Sequence, residues 1–156
     1  MAFGALSKIF TTFITDSLNN TASHSGALLA DGVKVALFGN TGTPDQTVAN
    51  SLTGYAQATS QWIAANEVTA TGWPAGGNPL ASRTSQFSTT VHTFDAADTA
   101  GGATDTVTNA YGVLIYNDTL TQNDGICYNA FGGAASVTSG TFTVVYNASG
   151  IFTITV

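Results

Sequence analysis

The chain has 156 residues, of which 44% are hydrophobic and only 8% charged, whereas an average soluble domain carries about 25% charged residues. Nine acidic residues against Lys8, Lys34 and Arg83 give a net charge of -6, so no basic stripe exists to follow a nucleic-acid backbone or to hold an anionic membrane surface. The apolar content and the β-branched runs exclude a disordered chain, and no apolar run approaches the roughly 18–20 residues that cross a bilayer.

The length fits one domain spanning residues 1–156, with 1–20 as an N-terminal helical segment and 33–156 as a β-sandwich. In the first 18 residues Phe3, Leu6, Phe10, Phe13 and Ile14 fall on one helical stripe. Thr11, Thr12 and Thr15 weaken its intrinsic propensity, so the helix must pack on its own sheet or on a neighbouring subunit. Lys8 inside the apolar part and Asp16 after it make a poor secretory leader, and the segment reads as mature sequence. The polar stretch "NNTASHSG" is a predicted loop, and "VKVALFG" at 33–39 a predicted strand.

Residues 40–66 form a long connection with one short helix, where Val48, Leu52 and Tyr55 lie at helical spacing. The stretch "EVTATGWPAGGNPL" at 67–80 sets Trp73 beside Pro74 and a double glycine. Glycines permit backbone conformations closed to other residues, Pro74 and Pro79 stiffen the path, and Trp73 is a large apolar anchor. It covers one end of its own core or reaches a neighbour.

Beyond it the pattern turns to strands. "FSTTVHTF" is one run of Thr, Val and aromatics, and "YGVLIYN" is a nearly continuous apolar run suited to a central, doubly covered strand. "GICYNAF", "TFTVVYN" and "IFTITV" follow, separated by "DTLTQND", "GGAASVTSG" and "ASG", all composed of residues that turn a chain. Phe142, Val144 and Tyr146 alternate with smaller or polar positions, as do Phe152, Ile154 and Val156 after the turn, which predicts a closing β-hairpin. The fold class is mainly β: an antiparallel sandwich or jelly-roll-like barrel with an N-terminal helix.

Motifs that carry chemistry are sparse. "GGNPL" lacks the lysine and Ser/Thr of a phosphate loop, and no "GxSxG" elbow occurs. Asp95 and Asp98 in "FDAAD" lack the further oxygen ligands of a calcium loop and read as strand-end and turn residues. His24 and His92 have no carboxylate or thiolate partner at zinc spacing. Cys127 reads as a small buried hydrophobe. No cofactor or metal is implied. An enzyme would draw on Glu67, Asp95 and His92, and a carbohydrate- or receptor-binding sandwich would stack sugars on Trp62, Trp73, Tyr55 and Tyr128.

The succession "VKVALFGNTGTPDQ", "ANEVTATGWPAGGNPLA", "FDAAD", "YGVLIYND" and "SGTFTVVYNASGIFTITV" resembles a group of small virion structural proteins of tailed bacteriophages, from about residue 33 to the end. Trp73 and Pro74 stand where that group favours Tyr and a small polar residue. The resemblance implies a non-enzymatic building block, a head decoration or cement protein, with a neck or tail component as the alternative. It implies a virion location at the head surface after synthesis in the bacterial host cytoplasm. The implied partners are further copies of the chain, as a dimer or trimer, and a major capsid or other virion protein. Low charge suits such a role, because exposed ion pairs are screened by salt while several weak contacts acting together are not lost. The candidate interface residues are Phe3, Leu6, Phe10, Phe13, Ile14, Trp73 and Pro74.

Overall fold

A computed structural model of the chain describes residues 6–20 and 27–155. Phe3 and His24 lie outside the described residues.

The largest sheet is antiparallel and runs in the order β1-β8-β7-β2-β3, formed by Lys8–Ile9 (β1), Gly125–Gly140 (β8), Asp105–Asn117 (β7), Val33–Phe38 (β2) and Asn78–Pro79 (β3). The two strands predicted from the most continuous apolar runs lie side by side: Val33 to Phe38 pair with Asn117 to Gly112. Both are almost wholly buried, which is why neither run alternates. Pro79, which has no N–H to donate, takes the outer edge beside Lys34.

A second sheet has the order β10-β5-β4, from Phe152–Thr155 (β10), Val91–Asp95 (β5) and Thr84–Ser88 (β4). Thr99–Ala100 (β6) and Thr143–Val144 (β9) form a third, two-stranded pair. Among the described residues the fold is thus mainly β and antiparallel with one N-terminal helix, and the sheets stay open instead of closing into a barrel.

Three expectations about strands are corrected. "FSTTVHTF" is not one strand but parts of two, with β4 and β5 folded back on each other across residues 89–90. Thr89 takes the left-handed turn conformation (φ 58°) that Asn or Gly usually fills, so the turn had no compositional signal. "GGAASVTSG" does not turn the chain; it prolongs β8 to 16 residues. The ladder survives there because irregular register between β7 and β8 absorbs the extra residues around Gly132 (φ 78°), while Ala110 still faces Ala135 and Val107 faces Val137.

The predicted C-terminal hairpin does not form either. A turn is present, with Gly150 N–H donating to the Asn147 carbonyl at 2.7 Å, but its arms part: β9 joins β6, and β10 joins β5. Each arm pairs instead with a strand distant in sequence.

The helix α1 spans Thr11–Asn19, shorter than the stripe suggested. Its start is set by the sheet: Lys8 and Ile9 pair with Tyr128 and Cys127, and Phe10 N–H donates to the Ile126 carbonyl at 3.1 Å. Lys8 to Phe10 are extended, so the helical spacing does not hold over these positions. Asn20 ends the helix in the left-handed conformation, its N–H on the Asp16 carbonyl.

The core joins both large sheets and α1. At its centre Trp62 meets Phe38, Tyr128 and Phe10 with ring centroids 5.0, 5.7 and 6.3 Å away, the separations at which aromatic edges meet faces. Trp62 arrives from the long connection, which carries two short 3-10 turns, Asn50–Leu52 and Ala64–Asn66, rather than one α-helix. No helix among the described residues is long and apolar enough to cross a membrane.

Candidate functional site

Residues 67–80 enter beside β2, where Val68 N–H donates to the Leu37 carbonyl. They double back at once: Ala70 and Trp73 exchange backbone hydrogen bonds of 2.8 and 3.0 Å. That turn drives the Trp73 indole inward, leaving 1% of the residue exposed. The indole N–H donates to the Phe142 carbonyl at 3.1 Å, and the ring meets Phe142 edge-on at 6.1 Å.

Asp105 locks the same corner from β7. One of its carboxylate oxygens accepts Gly72 N–H and the other Gly102 N–H, each at 2.7 Å. Gly101 N–H donates to the Phe142 carbonyl that also receives the indole. Asn78 closes the loop by donating its side-chain amide to the Gly72 carbonyl at 2.7 Å. A buried carboxylate holding two backbone donors is strongly constrained in position, because either donor left alone would lose its partner away from water.

The double glycine is fixed from the opposite side. Gly76 and Gly77 have φ of 87° and 70°, and Gly77 N–H donates to the Pro74 carbonyl. A Cβ on Gly77 would overlap the Val35 carbonyl, so the close approach to β2 requires glycine as much as the dihedral does. Glu67 accepts Gly76 N–H at 2.9 Å and the Tyr55 hydroxyl at 2.6 Å. The Tyr116 hydroxyl donates to the Gly76 carbonyl, and Tyr55 stacks on Tyr116 with centroids 4.8 Å apart.

Burial holds the Glu67 carboxyl above its usual range, partly offset by the bonds from Tyr55 and Gly76. Burial likewise pushes the Tyr55 and Tyr116 hydroxyls upward, so both stay protonated donors across the neutral range. A carboxyl whose folded value is raised contributes most below its unfolded value near 4.5, and that contribution is lost as pH rises through the folded value. Glu67→Gln is therefore expected to gain stability relative to the parent between pH 4 and pH 7. Thermal unfolding of both proteins at the two pH values measures the difference; a constant gap would refute the assignment.

These contacts make the stretch a joint between distant parts of the chain, and they redefine several sequence-predicted roles. Phe10, Phe13 and Trp73 lie in the chain's own core, the first of the two alternatives that the sequence left open for each. Ile14 is half-buried against the same core, whereas Leu6 and Pro74 are exposed.

Trp62, Trp73 and Tyr128 are buried, and half-buried Tyr55 has one face on Tyr116, so none of the three buried rings is an open sugar platform. Glu67, Asp95 and His92 are not brought together by their bonds. Glu67 holds the loop, Asp95 accepts Ala96 N–H, and the His92 ring meets the Ser85 hydroxyl at 3.2 Å. Asp98, in the irregular connection between β5 and β6, accepts Tyr146 N–H. Cys127 is buried, and burial pushes its thiol far above the range where a thiolate forms. Among the described residues no three His, Cys, Asp or Glu side chains are grouped so as to hold a metal ion.

Asp105 and Tyr116 went unremarked in the sequence. The available signal for Asp105 was an acid three residues after the pair Gly101–Gly102 in a chain with few charges. Tyr116 carried none, because it sits inside an apolar run. No protein-family model, curated protein or solved structure matches the chain.

Proposed function

We propose that the chain is a non-enzymatic structural subunit of a tailed-phage virion, a decoration or cement protein that binds the assembled head shell as an oligomer. One observation carries the reading. Three of the separated stretches on which the resemblance rests are bonded together: Trp73 from "EVTATGWPAGGNPL" reaches Phe142 of "SGTFTVVYN", and Asp98 of "FDAAD" holds Tyr146. Their order and spacing thus serve a mechanical joint, as suits a part whose task is to keep its shape under load. The buried carboxylate and indole are engaged with backbone groups, which rigidifies the frame on which partner-facing loops are carried.

The test is peptide mass spectrometry and immunogold labelling of tailed particles from the chain's own source. Stoichiometric peptides with label on the head are expected. Absence from purified particles would overturn the reading, and label confined to the neck or tail would move the subunit there.

A further inference from the structure

Phe13 of α1 meets Phe152 of the sheet β10-β5-β4 edge-on, ring centroids 6.2 Å apart. Cross-strand pairing places Phe87, His92 and Ile154 in one row and Ser85, Phe94 and Phe152 in the next, on the same face. Between this face and α1 runs a groove of about 320 Å³, lined by Phe13, Leu18 and Leu28 on one side and Phe94, Phe152 and Ile154 on the other. Its described lining contains no Asp, Glu, Lys or Arg. On its rim Phe87 is 61% exposed, its ring tilted against His92, and Leu18 is 82% exposed.

We propose that this face is where a second copy of the chain docks, the Phe87 ring of each copy entering the groove of the other. The inference names the self-contact of the subunit proposed above and takes only its biological setting from that reading.

Two features select a copy as the occupant. Knob and groove lie on one face, and a two-fold axis brings each knob of such a face to the other's groove without a second, different surface. An apolar cavity of about 150 Å³ already accepts benzene, so the groove admits a phenyl ring. Charge argues the same way. Two chains of net charge -6 repel each other in general, and a face without formal charges is where like copies meet at least electrostatic cost.

The experiment is light scattering and sedimentation of the full chain over a wide concentration range, with Phe87→Ser, Leu18→Ser and, as control, Val145→Ser, an exposed position outside the groove lining. A concentration-dependent dimer is expected. Phe87→Ser and Leu18→Ser should each weaken it at least about tenfold, roughly 1.4 kcal/mol, with circular dichroism unchanged and the unfolding midpoint unchanged at concentrations where parent and variant are both monomeric; the control should not weaken it. A parent chain that stays monomeric, or a dimer indifferent to both groove variants, overturns the inference. A monomer that binds heads through Phe87 overturns it too, giving the face to the shell while the virion reading stands. A Phe87-dependent dimer absent from particles supports the interface and overturns only that reading.

Discussion

Replacing Trp73 by alanine should cost about 3–5 kcal/mol, the range for deleting a large buried ring. Two interactions are lost together, the packing of the indole and its hydrogen bond to the Phe142 carbonyl. Their sizes differ. The carbonyl keeps Gly101 N–H as a second donor, so loss of the indole N–H leaves no orphaned acceptor and costs about 1 kcal/mol. Packing dominates, and Trp73→Phe should lose far less than Trp73→Ala. Urea unfolding of the two variants beside the parent separates the contributions. An alanine variant within about 1 kcal/mol of the parent would contradict the burial of the ring. Against total stabilities of roughly 5–15 kcal/mol, the expected loss threatens folding itself.

The second large effect belongs to Gly77→Ala. The left-handed conformation costs an L-residue about 1–2 kcal/mol, and overpacking adds about 1–3. Overpacking applies because the new methyl would strike the backbone of Val35 and Ala36 in β2, which cannot swing aside like the tip of a side chain. A loss of about 2–5 kcal/mol is expected. Gly133→Ala is the internal control: open space surrounds that position and its φ is not left-handed, so it should change stability by less than about 1 kcal/mol, with a gain from reduced chain entropy allowed. Equal losses in the two variants would mean that the general glycine effect, not the approach to β2, sets the result.

What the sequence revealed follows burial symmetry. "VKVALFG" and "YGVLIYN" were readable because strands covered on both faces are apolar throughout, and they form the centre of the large sheet. The N-terminal stripe misled at its start. Phe10, Phe13 and Ile14 do pack inward, but a periodicity built from five residues cannot separate a helix from a two-residue strand followed by a helix. The closing segments show a different limit. Alternation and a turn signal establish that two strands leave a bend; they say nothing of whether those strands prefer each other or the distant β5 and β6.

The joint at 67–80 was legible as unusual backbone, through Gly, Pro and Trp. Its partners were not, since Asp105 and Phe142 lie 33 and 69 residues away from the groups they bind. The proposed interface met the same obstacle from the other direction. Phe87 sits within a strand-like run whose hairpin turn was invisible, and the groove beside it exists only once β10 has joined β5.

The attachment of Trp73 to Phe142 also constrains how the molecule comes into being. During synthesis the indole emerges long before the carbonyl that caps it, and Phe10 waits still longer for the Ile126 strand that receives its N–H. Closing such long loops carries an entropic barrier that local structure does not relieve, so chains dominated by distant pairings fold slowly. On a chain made from its N-terminus, neither of these two contacts can close before Phe142 and Ile126, respectively, have been added.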